Sequence, residues 1–375
     1  MLKIIWYFCA PSDPYGYGVV SKEICTRLIK EGHHVVIASR YEVGAPHFDG
    51  VIPVFTGINS GLVQLVSQEE GFDYIVYVYN ENQDSSITFN NWVSCAAFDY
   101  EFLPQKIAEE IKKSKFQFCV SHHNQRELEK LGFKPSYCPW GVDTNLFKPS
   151  VELRKKRREK MKWDDDTFIV GTVGMNLTND RKNHINLLKA FQKFSLAHLN
   201  VELYMHCSAF SPLPLEQIAQ SLGISDRVSF IDQKVYHMNA LLYSGMPEIY
   251  NGLDVLCIPS KGESFGLPLL EAQACGVPVI TTDTTGGSEL VKGGWLIPVD
   301  EDDYEYLKFG SWQAVVRASK IYEQLENAYL TWKNRDITFN YGTKARLGVM
   351  EYDWDAVFEK YWKPFLKVLE EGKVG

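Results

Sequence analysis

Three classes of protein are disfavoured by what this sequence lacks. Its 375 residues carry a formal net charge of −8, whereas binding to nucleic acid depends on clustered basic residues. No apolar run approaches the roughly 20 residues that a membrane-spanning helix needs, so only peripheral membrane contact is left open. Residues 1–10 lack the long apolar core and the cleavage pattern of a signal peptide. We therefore expect a cytoplasmic protein without a transmembrane segment and without a nucleic-acid partner.

Cysteine pairs at metal-ligand spacing are missing as well. The eight cysteines are scattered without a Cys-x-x-Cys pair, and most lie inside apolar runs, as Cys207 and Cys257 do. This usage is typical of reduced thiols in the core of an intracellular protein. His122 and His123 are adjacent rather than four residues apart, so they do not form a helical metal pair. We therefore expect no metal site.

What the sequence does contain is a regular alternation of apolar strands and amphipathic helices. Residues 3–10 predict a strand, residues 19–31 a helix and residues 33–39 the next strand, joined by a glycine-containing loop. This order is typical of a right-handed crossover between parallel strands. Gly16 and Gly18 lie in the loop, but the third glycine of the dinucleotide fingerprint is missing. A dinucleotide oxidoreductase is therefore disfavoured.

The length of the chain suits two domains, each with a core of its own. Strands and helices keep alternating through the second half, where residues 167–173 and 253–258 predict buried strands. We predict an α/β fold with two Rossmann-like domains, residues 1–150 and 151–345, whose parallel sheets face one cleft. Residues 346–375 predict a helix with aromatic residues along one face.

Local patterns assign further segments. Residues 92–98 predict a strand that presents Asp99 at its end, after a polar loop over residues 80–86. The strongly basic segment 152–162 predicts an exposed linker helix. Residues 311–334 predict one continuous helix, because apolar residues recur there at helical spacing.

The stretch between residues 259 and 278 concentrates the chemistry of the chain. Pro268 suits a first helical position and Gly276 a helix end, so a helix is predicted from Pro268 to Cys275. Ser264, Phe265 and Gly266 then form the turn between a buried strand and this helix. Free backbone N–H groups collect at such a turn, and the helix dipole adds to their attraction for an anion. The sequence therefore predicts a phosphate site there.

Two carboxylates flank the predicted phosphate site, Glu263 in the turn and Glu271 in the helix. A negative charge does not help to hold phosphate, whereas a carboxylate beside a phosphate site accepts hydrogen bonds from sugar hydroxyls. Taken singly, each glutamate is also explained by a solvated turn or by the helix dipole. The two glutamates with Ser-Phe-Gly-Leu-Pro between them resemble the signature of retaining glycosyltransferases of the two-Rossmann-domain (GT-B) type, the large glycogen-synthase-like family 4.

The resemblance implies a substrate and a division of labour. The substrate is a nucleotide-sugar such as a UDP- or GDP-sugar, with no further cofactor, and the acceptor is not specified. Residues 151–345 are expected to bind this donor and residues 1–150 to face the acceptor, with 346–375 crossing back. Glu263 is expected to contact the donor sugar and Glu271 the ribose. The remaining predicted substrate-binding residues of this stretch are Ser264, Phe265, Gly266 and Leu267.

A pair of cations precedes the helix that begins near residue 185. A diphosphate leaving group needs positive charge that strengthens its hold as negative charge develops, and Arg181 and Lys182 are candidates for that role. In the resembled family an arginine often follows the strand directly, with a lysine several residues later. Here Met175 stands at the arginine position, so which of the two cations takes that role is left open. A surface Arg-Lys pair is the simpler alternative.

The acceptor side departs from the pattern of the resembled family. Members often carry an active-site histidine where this chain has Asp99, so Asp99 either inherits that role or caps a helix. Gly16 and Gly18 either let the backbone approach the ligand or form a plain turn. The expected activity is metal-independent transfer of a sugar by a hexosyltransferase. The alternatives are a sugar phosphorylase or nucleotide-sugar epimerase of the same architecture, and a nucleotide-sugar binding protein without turnover.

Overall fold

Two separate parallel sheets make up the framework of the chain. The computed structural model describes residues 1–13, 16–40, 44–79, 89–238 and 241–373, so the loop predicted over residues 80–86 lies outside the described residues. The eight strands of the first sheet are β1 (Lys3–Phe8), β2 (His34–Ser39), β3 (His47–Asp49), β4 (Ile52–Phe55), β5 (Tyr74–Tyr79), β6 (Trp92–Ala96), β7 (Phe116–Cys119) and β8 (Ser136–Tyr137). The six strands of the second sheet are β9 (Phe168–Val173), β10 (Val201–His206), β11 (Val228–Phe230), β12 (Val255–Ile258), β13 (Val279–Thr282) and β14 (Gly294–Ile297).

Helices connect the strands in both halves. The helices of the first half are α1 (Gly16–Lys30), α2 (Ser60–Glu69), α3 (Gln105–Ile111) and α4 (His122–Lys130). Those that follow are α5 (Val151–Met161), α6 (His184–Ala197), α7 (Leu215–Ser221), α8 (Gln233–His237), α9 (Met246–Gly252), α10 (Leu267–Ala274), α11 (Thr285–Ser288), α12 (Ala318–Lys333) and α13 (Arg335–Val349). Short 3-10 turns cover Tyr243–Gly245 and Met350–Tyr352.

Both sheets have the doubly wound strand order of nucleotide-binding folds. The second sheet runs β11-β10-β9-β12-β13-β14, and all its pairs are parallel. The first sheet runs β3-β4-β2-β1-β5-β6-β7-β8, with only the edge pair of β3 and β4 antiparallel. The order of the strands reverses between β1 and β5 and again between β9 and β12, and ligands bind at such switch points. The predicted α/β fold with two Rossmann-like sheets is confirmed.

The central strands are buried on both faces, which explains their uninterrupted apolar sequences. Every residue of β9 and β12 is buried, as parallel strands covered by helices on both sides require. One core cluster packs on the second sheet around Phe168, Phe191 and Leu203. All eight cysteines are buried and none forms a disulfide, so the prediction of reduced core thiols is confirmed.

The end of the chain returns to the first sheet. It consists of α14 (Trp354–Val357), a π-helical turn (Phe358–Trp362) and α15 (Lys363–Lys373). The indole of Trp362 donates to the carbonyl of Pro139 at 3.1 Å, and the hydroxyl of Tyr74 donates to the carbonyl of Leu369 at 2.8 Å. Within the described part of the chain, no helix is both long and apolar enough to cross a membrane.

One predicted helix is wrong at its beginning. Residues 311–334 were expected to be helical throughout, but Ser311–Ala314 is a strand, β16, paired antiparallel with β15 (Tyr304–Leu307). Gly310, with φ of 97°, makes the turn between the two strands, and the helix α12 begins only at Ala318. The two strands form a hairpin that belongs to neither of the two large sheets.

Three further predictions need correction. The first helix begins at Gly16 rather than near residue 19, so Gly16 and Gly18 lie in its first turn and not in a loop. The strand expected over residues 92–98 ends at Ala96. The basic helix α5 is only partly exposed, because its residues Arg157 and Arg158 are buried.

Candidate active site

The predicted donor residues lie on two loops at the switch point of the second sheet. One loop follows β9 and carries Arg181 and Lys182, and the other follows β12 and carries Glu263. Because β9 and β12 are neighbours, their carboxyl ends bring the two loops together. A direct main-chain hydrogen bond joins them, from the amide of Lys261 to the carbonyl of Arg181 at 2.8 Å.

The predicted phosphate cradle is a tight turn that requires glycine at its end. Gly266 has φ of 114° and immediately precedes α10, with Pro268 in the first turn of that helix. Within the described residues, the amides of Ser264, Phe265 and Gly266 donate to no protein acceptor. Such amides at a helix N-terminus are available to an anion.

Glu263 is a buried carboxylate between the two cations. Its Oε1 accepts a hydrogen bond from Lys182 Nζ at 2.5 Å and another from the hydroxyl of Ser260 at 2.6 Å. Burial acts to raise the pKa of Glu263, but the charges of Lys182 and Arg181 outweigh it and lower this pKa to about 2. The carboxylate therefore stays ionised. Burial lowers the pKa of Lys182, against the opposing charge of Glu263.

Arg181 joins the two halves of the chain. Its Nε lies 3.0 Å from Oδ2 of Asp99, and its Nη1 donates to the carbonyl of Gly262 at 2.7 Å. Asp99 comes from the loop after β6, at the carboxyl edge of the first sheet. The helix-cap alternative for Asp99 is wrong, because the next helix begins at Gln105 with Pro104 as its cap residue. The structure thus brings Asp99 together with Arg181, Lys182 and Glu263.

Gly16 and Gly18 mark a close approach of α1 to its surroundings. A Cβ atom at Gly16 would lie 3.1 Å from Cδ1 of Leu267, which belongs to the donor turn. A Cβ atom at Gly18 would lie 2.2 Å from the carbonyl oxygen of Asp13, so no larger residue is accommodated. Gly18 is therefore needed for packing, and Gly16 lies in close contact with Leu267 at the boundary between the two halves.

Glu271 lies deeper than the other predicted residues. Its Oε1 accepts a hydrogen bond from Tyr243 at 2.7 Å, and its Oε2 accepts one from Tyr250 at 2.6 Å. Burial raises the pKa of Glu271, and the two phenol groups act in the opposite direction. The carboxylate is thus held in a fixed orientation by two partners. Neither tyrosine had been predicted to support the site.

Comparisons with known proteins concern the second half of the chain and the overall fold. Residues 154–307 match the family model described as glycosyl transferases group 1. This matched segment is less than half of the chain, and over it the chain is similar to the group 1 glycosyltransferases. Arg181, Lys182, Glu263 and Glu271 all lie within it, as does the cradle turn, whereas Asp99 lies outside.

Curated relatives match parts of the chain only. A D-inositol 3-phosphate glycosyltransferase from Stackebrandtia nassauensis is 32% identical over 172 residues, which is 43% of this chain and 36% of that protein. The lipopolysaccharide core biosynthesis mannosyltransferase LpsB from Rhizobium meliloti is 38% identical over 86 residues, 23% of this chain and 22% of that protein. The matched segments therefore span about a third or less of these relatives.

Solved structures match the whole chain in fold. Sucrose-phosphate synthase from Thermosynechococcus elongatus superimposes with a TM-score of 0.76 at 16% identity, covering 98% of this chain and 100% of that chain. The Anabaena protein Alr3699/HepE, in complex with UDP and glucose, superimposes with a TM-score of 0.72 at 16% identity, with the same coverage. The two sheets with their helices therefore have the GT-B fold.

A turn with two glycines supports the cradle. The amide of Glu263 donates to Oγ1 of Thr285 at 2.8 Å, and the amide of Gly286 donates to the carbonyl of Glu263 at 2.9 Å. A Cβ atom at Gly286 would lie 2.2 Å from the carbonyl oxygen of Ser264. This turn therefore packs directly against the cradle, and its glycine is required for that approach.

Tyr17 is a site residue that sequence reasoning missed. It lies between Gly16 and Gly18, and its ring centroid is 5.6 Å from that of Trp140, which also contacts Phe265 of the cradle turn. Burial raises the pKa of Tyr17, and the charge of Asp99 acts in the same direction. The sequence did not indicate Tyr17, because the glycines on either side of it were explained by the conformation of the main chain.

The side chains of Phe265 and Leu267 are part of the packing beneath the cradle turn and are not exposed to a ligand. The ring of Phe265 is buried, with its centroid 5.6 Å from that of Trp140 in the first half. Leu267 is buried as well. Across the described residues, no group of three or more histidine, cysteine, aspartate or glutamate side chains is arranged to hold a metal ion.

Proposed function

We propose that this protein transfers a sugar from a nucleotide-sugar to an acceptor hydroxyl with retention of the anomeric configuration. The observation that carries the proposal is the grouping of Arg181, Lys182 and Glu263 around a turn with available amides at the switch point of the second sheet. Cations and oriented amides hold a diphosphate, and a carboxylate beside them holds sugar hydroxyls. The retaining outcome follows from the resemblance of the glutamate signature.

The leaving diphosphate is assigned to the cations and the cradle. The amides of Ser264, Phe265 and Gly266 take phosphate oxygens, and Arg181 and Lys182 neutralise the charge that develops on them. Carboxylates already engage these two cations, Asp99 and Glu263 with Arg181 and Glu263 with Lys182. A bound diphosphate offers Arg181 a further anionic partner. Donor binding therefore rearranges charges that are already in position.

The two glutamates are assigned to the neutral parts of the donor. Glu263 stays ionised because its pKa is about 2, so it accepts hydrogen bonds from sugar hydroxyls rather than donating a proton. Glu271, held by Tyr243 and Tyr250, is assigned to the ribose. Each of its oxygens keeps a further lone pair for a ribose hydroxyl.

The acceptor is assigned to the side of the first sheet. Asp99 lies 3.0 Å from Arg181, next to the position of the leaving group, and it takes the place of the histidine of the resembled family. Tyr17, Gly16 and Gly18 form the adjoining wall. UDP is the first nucleotide to test, because the similar fold of Alr3699/HepE was solved with UDP and glucose. A GDP-sugar is the second, and neither a metal ion nor another cofactor is part of the proposal.

Calorimetric titration with UDP and with GDP tests the donor site. We expect one nucleotide to bind, and Arg181→Ala and Lys182→Ala each to weaken it by about tenfold, because a charge-assisted contact to phosphate is lost. Lys155→Ala is the control, since this lysine has a side chain 76% exposed and lies on α5. Unchanged affinity in both site variants would remove the two cations from the donor site.

Nucleotide release from the intact donor distinguishes transfer from the alternatives. We expect slow hydrolysis of the matching nucleotide-sugar by the wild type and its loss in Glu263→Gln. Release that depends on inorganic phosphate would indicate a phosphorylase, and interconversion of the sugar without release would indicate an epimerase. Binding without any turnover, with or without a panel of acceptor sugars, would reduce the function to nucleotide-sugar binding.

A further inference from the structure

The hairpin of β15 and β16 is a part of the molecule that the proposed function does not use. It is separate from both large sheets, and the family match ends at residue 307, so β16 lies outside it. Tyr306 and Trp312 are 62% and 39% exposed, although large aromatic side chains are costly to leave in water. Their ring centroids are 5.2 Å apart at an interplanar angle of 69°.

The register of the hairpin places the two rings side by side on one face. Tyr306 pairs with Trp312 and Tyr304 pairs with Ala314, so these four side chains share a face. The carbonyl of Trp312 bonds outward, to the amide of Glu101 at 2.9 Å. Tyr306 and Trp312 therefore form a non-hydrogen-bonded pair of the antiparallel ladder. The side chains of such a pair lie closer together than those of a hydrogen-bonded pair.

The outer edge of β16 is attached to both walls of the candidate active site. It bonds to Glu101, two residues after Asp99, and the amide of Ala314 donates to the carbonyl of Lys261 at 3.2 Å. Lys261 in turn precedes Glu263 by two residues. A single strand thus connects the loop of the first sheet with the donor loop. The exposed rings lie on an element that borders the cleft.

The loop that β16 contacts also reaches the donor side of the cleft. Thr284 donates to the carboxylate of Glu101, whose amide bonds to the carbonyl of Trp312. Thr284 directly precedes Thr285, which binds the amide of Glu263. The exposed ring of Trp312 therefore belongs to a residue whose main chain contacts the border of the cleft.

The charges around the rings favour a neutral ligand. Residues 300–308 carry five carboxylates and one lysine, so the segment repels nucleic acid and an anionic membrane surface. A sugar ring presents apolar C–H faces to an aromatic ring and hydroxyl groups to neighbouring carboxylates. Glu101, whose amide bonds to the carbonyl of Trp312, supplies such a carboxylate next to β16, whereas Glu305 lies on the opposite face of the hairpin from the two rings.

We propose that Tyr306 and Trp312 form a saccharide-binding platform that holds the acceptor sugar chain at the mouth of the cleft. The identity of the ligand rests on the proposed function. The platform binds a neutral saccharide by stacking against its apolar faces, and it positions the free end of that saccharide near Asp99. This assigns a subsite to the hairpin, whose strand β16 lies outside the matched segment.

Saturation-transfer NMR on the full-length protein tests the platform. The probes are methyl α-mannopyranoside, maltose, cellobiose and N,N′-diacetylchitobiose, each added singly. We expect at least one to receive saturation at its ring C–H protons, and Trp312→Ala and Tyr306→Ala to weaken its binding by about tenfold. Trp312→Phe should retain most of the signal, because it keeps an aromatic face.

Phe339→Ala is the matched control, since this ring is 74% exposed but lies on α13. It should leave the saturation transfer unchanged. The absence of ring-dependent transfer to all four saccharides would overturn the proposal. Two other results would also overturn it. If Trp312→Ala abolishes self-association measured by sedimentation, the rings bind a second copy of the chain. If it abolishes binding to phosphatidylcholine vesicles, the rings bind a membrane.

Titration of the same samples with UDP and GDP separates this inference from the proposed function. Nucleotide binding without ring-dependent saccharide binding would overturn the platform alone. Saccharide binding without binding of either nucleotide would leave the platform in place and overturn the donor site. Failure of both titrations would contradict both proposals.

Discussion

At the scale of single residues, the negative charge of Glu263 is stabilised by three neighbouring side chains. Lys182 and Ser260 both donate to its Oε1, and Arg181 lies 3.5 Å from its Oε2. The carboxylate is only 8% exposed, so it would be costly to bury without these partners. The arrangement keeps a negative charge beside a turn that is otherwise suited to anions.

The first prediction concerns the pH dependence of this charge. The pKa of Glu263 is lowered from 4.5 to about 2, so the folded protein binds fewer protons than the unfolded chain between these values. The contribution of Glu263 to stability is thus fully present above pH 4.5 and is lost as the pH falls towards 2. We expect Glu263→Gln to cost about 3 kcal/mol at neutral pH, because Lys182 loses its buried partner.

Thermal unfolding of both proteins across pH checks this prediction. The difference in Tm between wild type and Glu263→Gln should be constant from neutral pH down to the ordinary carboxylate pKa of 4.5, and should narrow below it. Glu305→Gln is the control, because its side chain is 46% exposed and pairs with Lys261 at the surface. A difference that widens on acidification would contradict the assigned direction.

At the scale of secondary-structure elements, α5 is held to the second sheet by one buried aspartate. Asp254 precedes β12, and its Oδ1 and Oδ2 pair with Arg154 and Arg158 at 2.7 and 2.6 Å. Its Oδ2 also accepts the amide of Ile169, at the start of β9. The side chains of Arg158 and Asp254 are only 3% and 4% exposed. A helix that its composition suggested was a solvated linker is thus tied to two strands.

The second prediction compares two carboxylates that pair with the same helix. Asp254→Ala should lower the free energy of unfolding by about 4 kcal/mol, because it leaves the buried Arg158 without its carboxylate. Glu248→Ala should cost about 0.5 kcal/mol, because its partner on α5, Lys156, has a side chain 67% exposed. Urea unfolding of both variants measures the difference. An equal loss of unfolding free energy in the two variants would mean that α5 is attached by its ion pairs at the surface.

The hairpin illustrates why local patterns fail at some elements. Ala314, Ala318, Ile321 and Leu325 recur at helical spacing, so the strand was predicted as part of α12. The strand forms because Ser311–Ala314 pairs with Tyr304–Leu307 and bonds outward to Glu101. Glu101 is distant in sequence, and the spacing of apolar residues within the segment does not indicate such a partner. The buried parallel strands β9 and β12 were predictable because their apolar runs are required by burial on both faces.

The same distinction applies to the site. Glu263, Arg181 and Lys182 were identifiable because residue types within one loop carry their own chemistry. The ion pair between Arg181 and Asp99 joins two loops on different sheets, and nothing local to either loop specifies it. Tyr17, Tyr243 and Tyr250 were missed for the same reason, because their contacts are with Trp140 and Glu271 from other elements.

At the scale of the whole molecule, the two halves meet closely across the cleft. Glu289 from the second half accepts hydrogen bonds from the amides of His122 and His123 at 2.8 and 2.5 Å, at the N-terminus of α4. A carboxylate at that position is also favoured by the helix dipole. The main chains of the two halves are also in contact, because Gly262 packs against the carbonyl of Asp99. In the proposed function a closed cleft excludes water, which would otherwise compete with the acceptor.

The third prediction tests whether this contact matters for turnover. In Gly262→Ala the new Cβ would lie 1.9 Å from the carbonyl oxygen of Asp99, so the halves must move apart. Gly44→Ala is the control, because a Cβ there meets no atom within 4 Å.

We expect donor turnover to fall by about a hundredfold in Gly262→Ala, since a shift of about 1 Å at the reacting groups has that effect. X-ray scattering should give a larger radius of gyration, and UDP affinity should change less than turnover, because the cradle and Lys182 belong to one half. Unchanged turnover and scattering would mean that the close contact is not needed for the reaction.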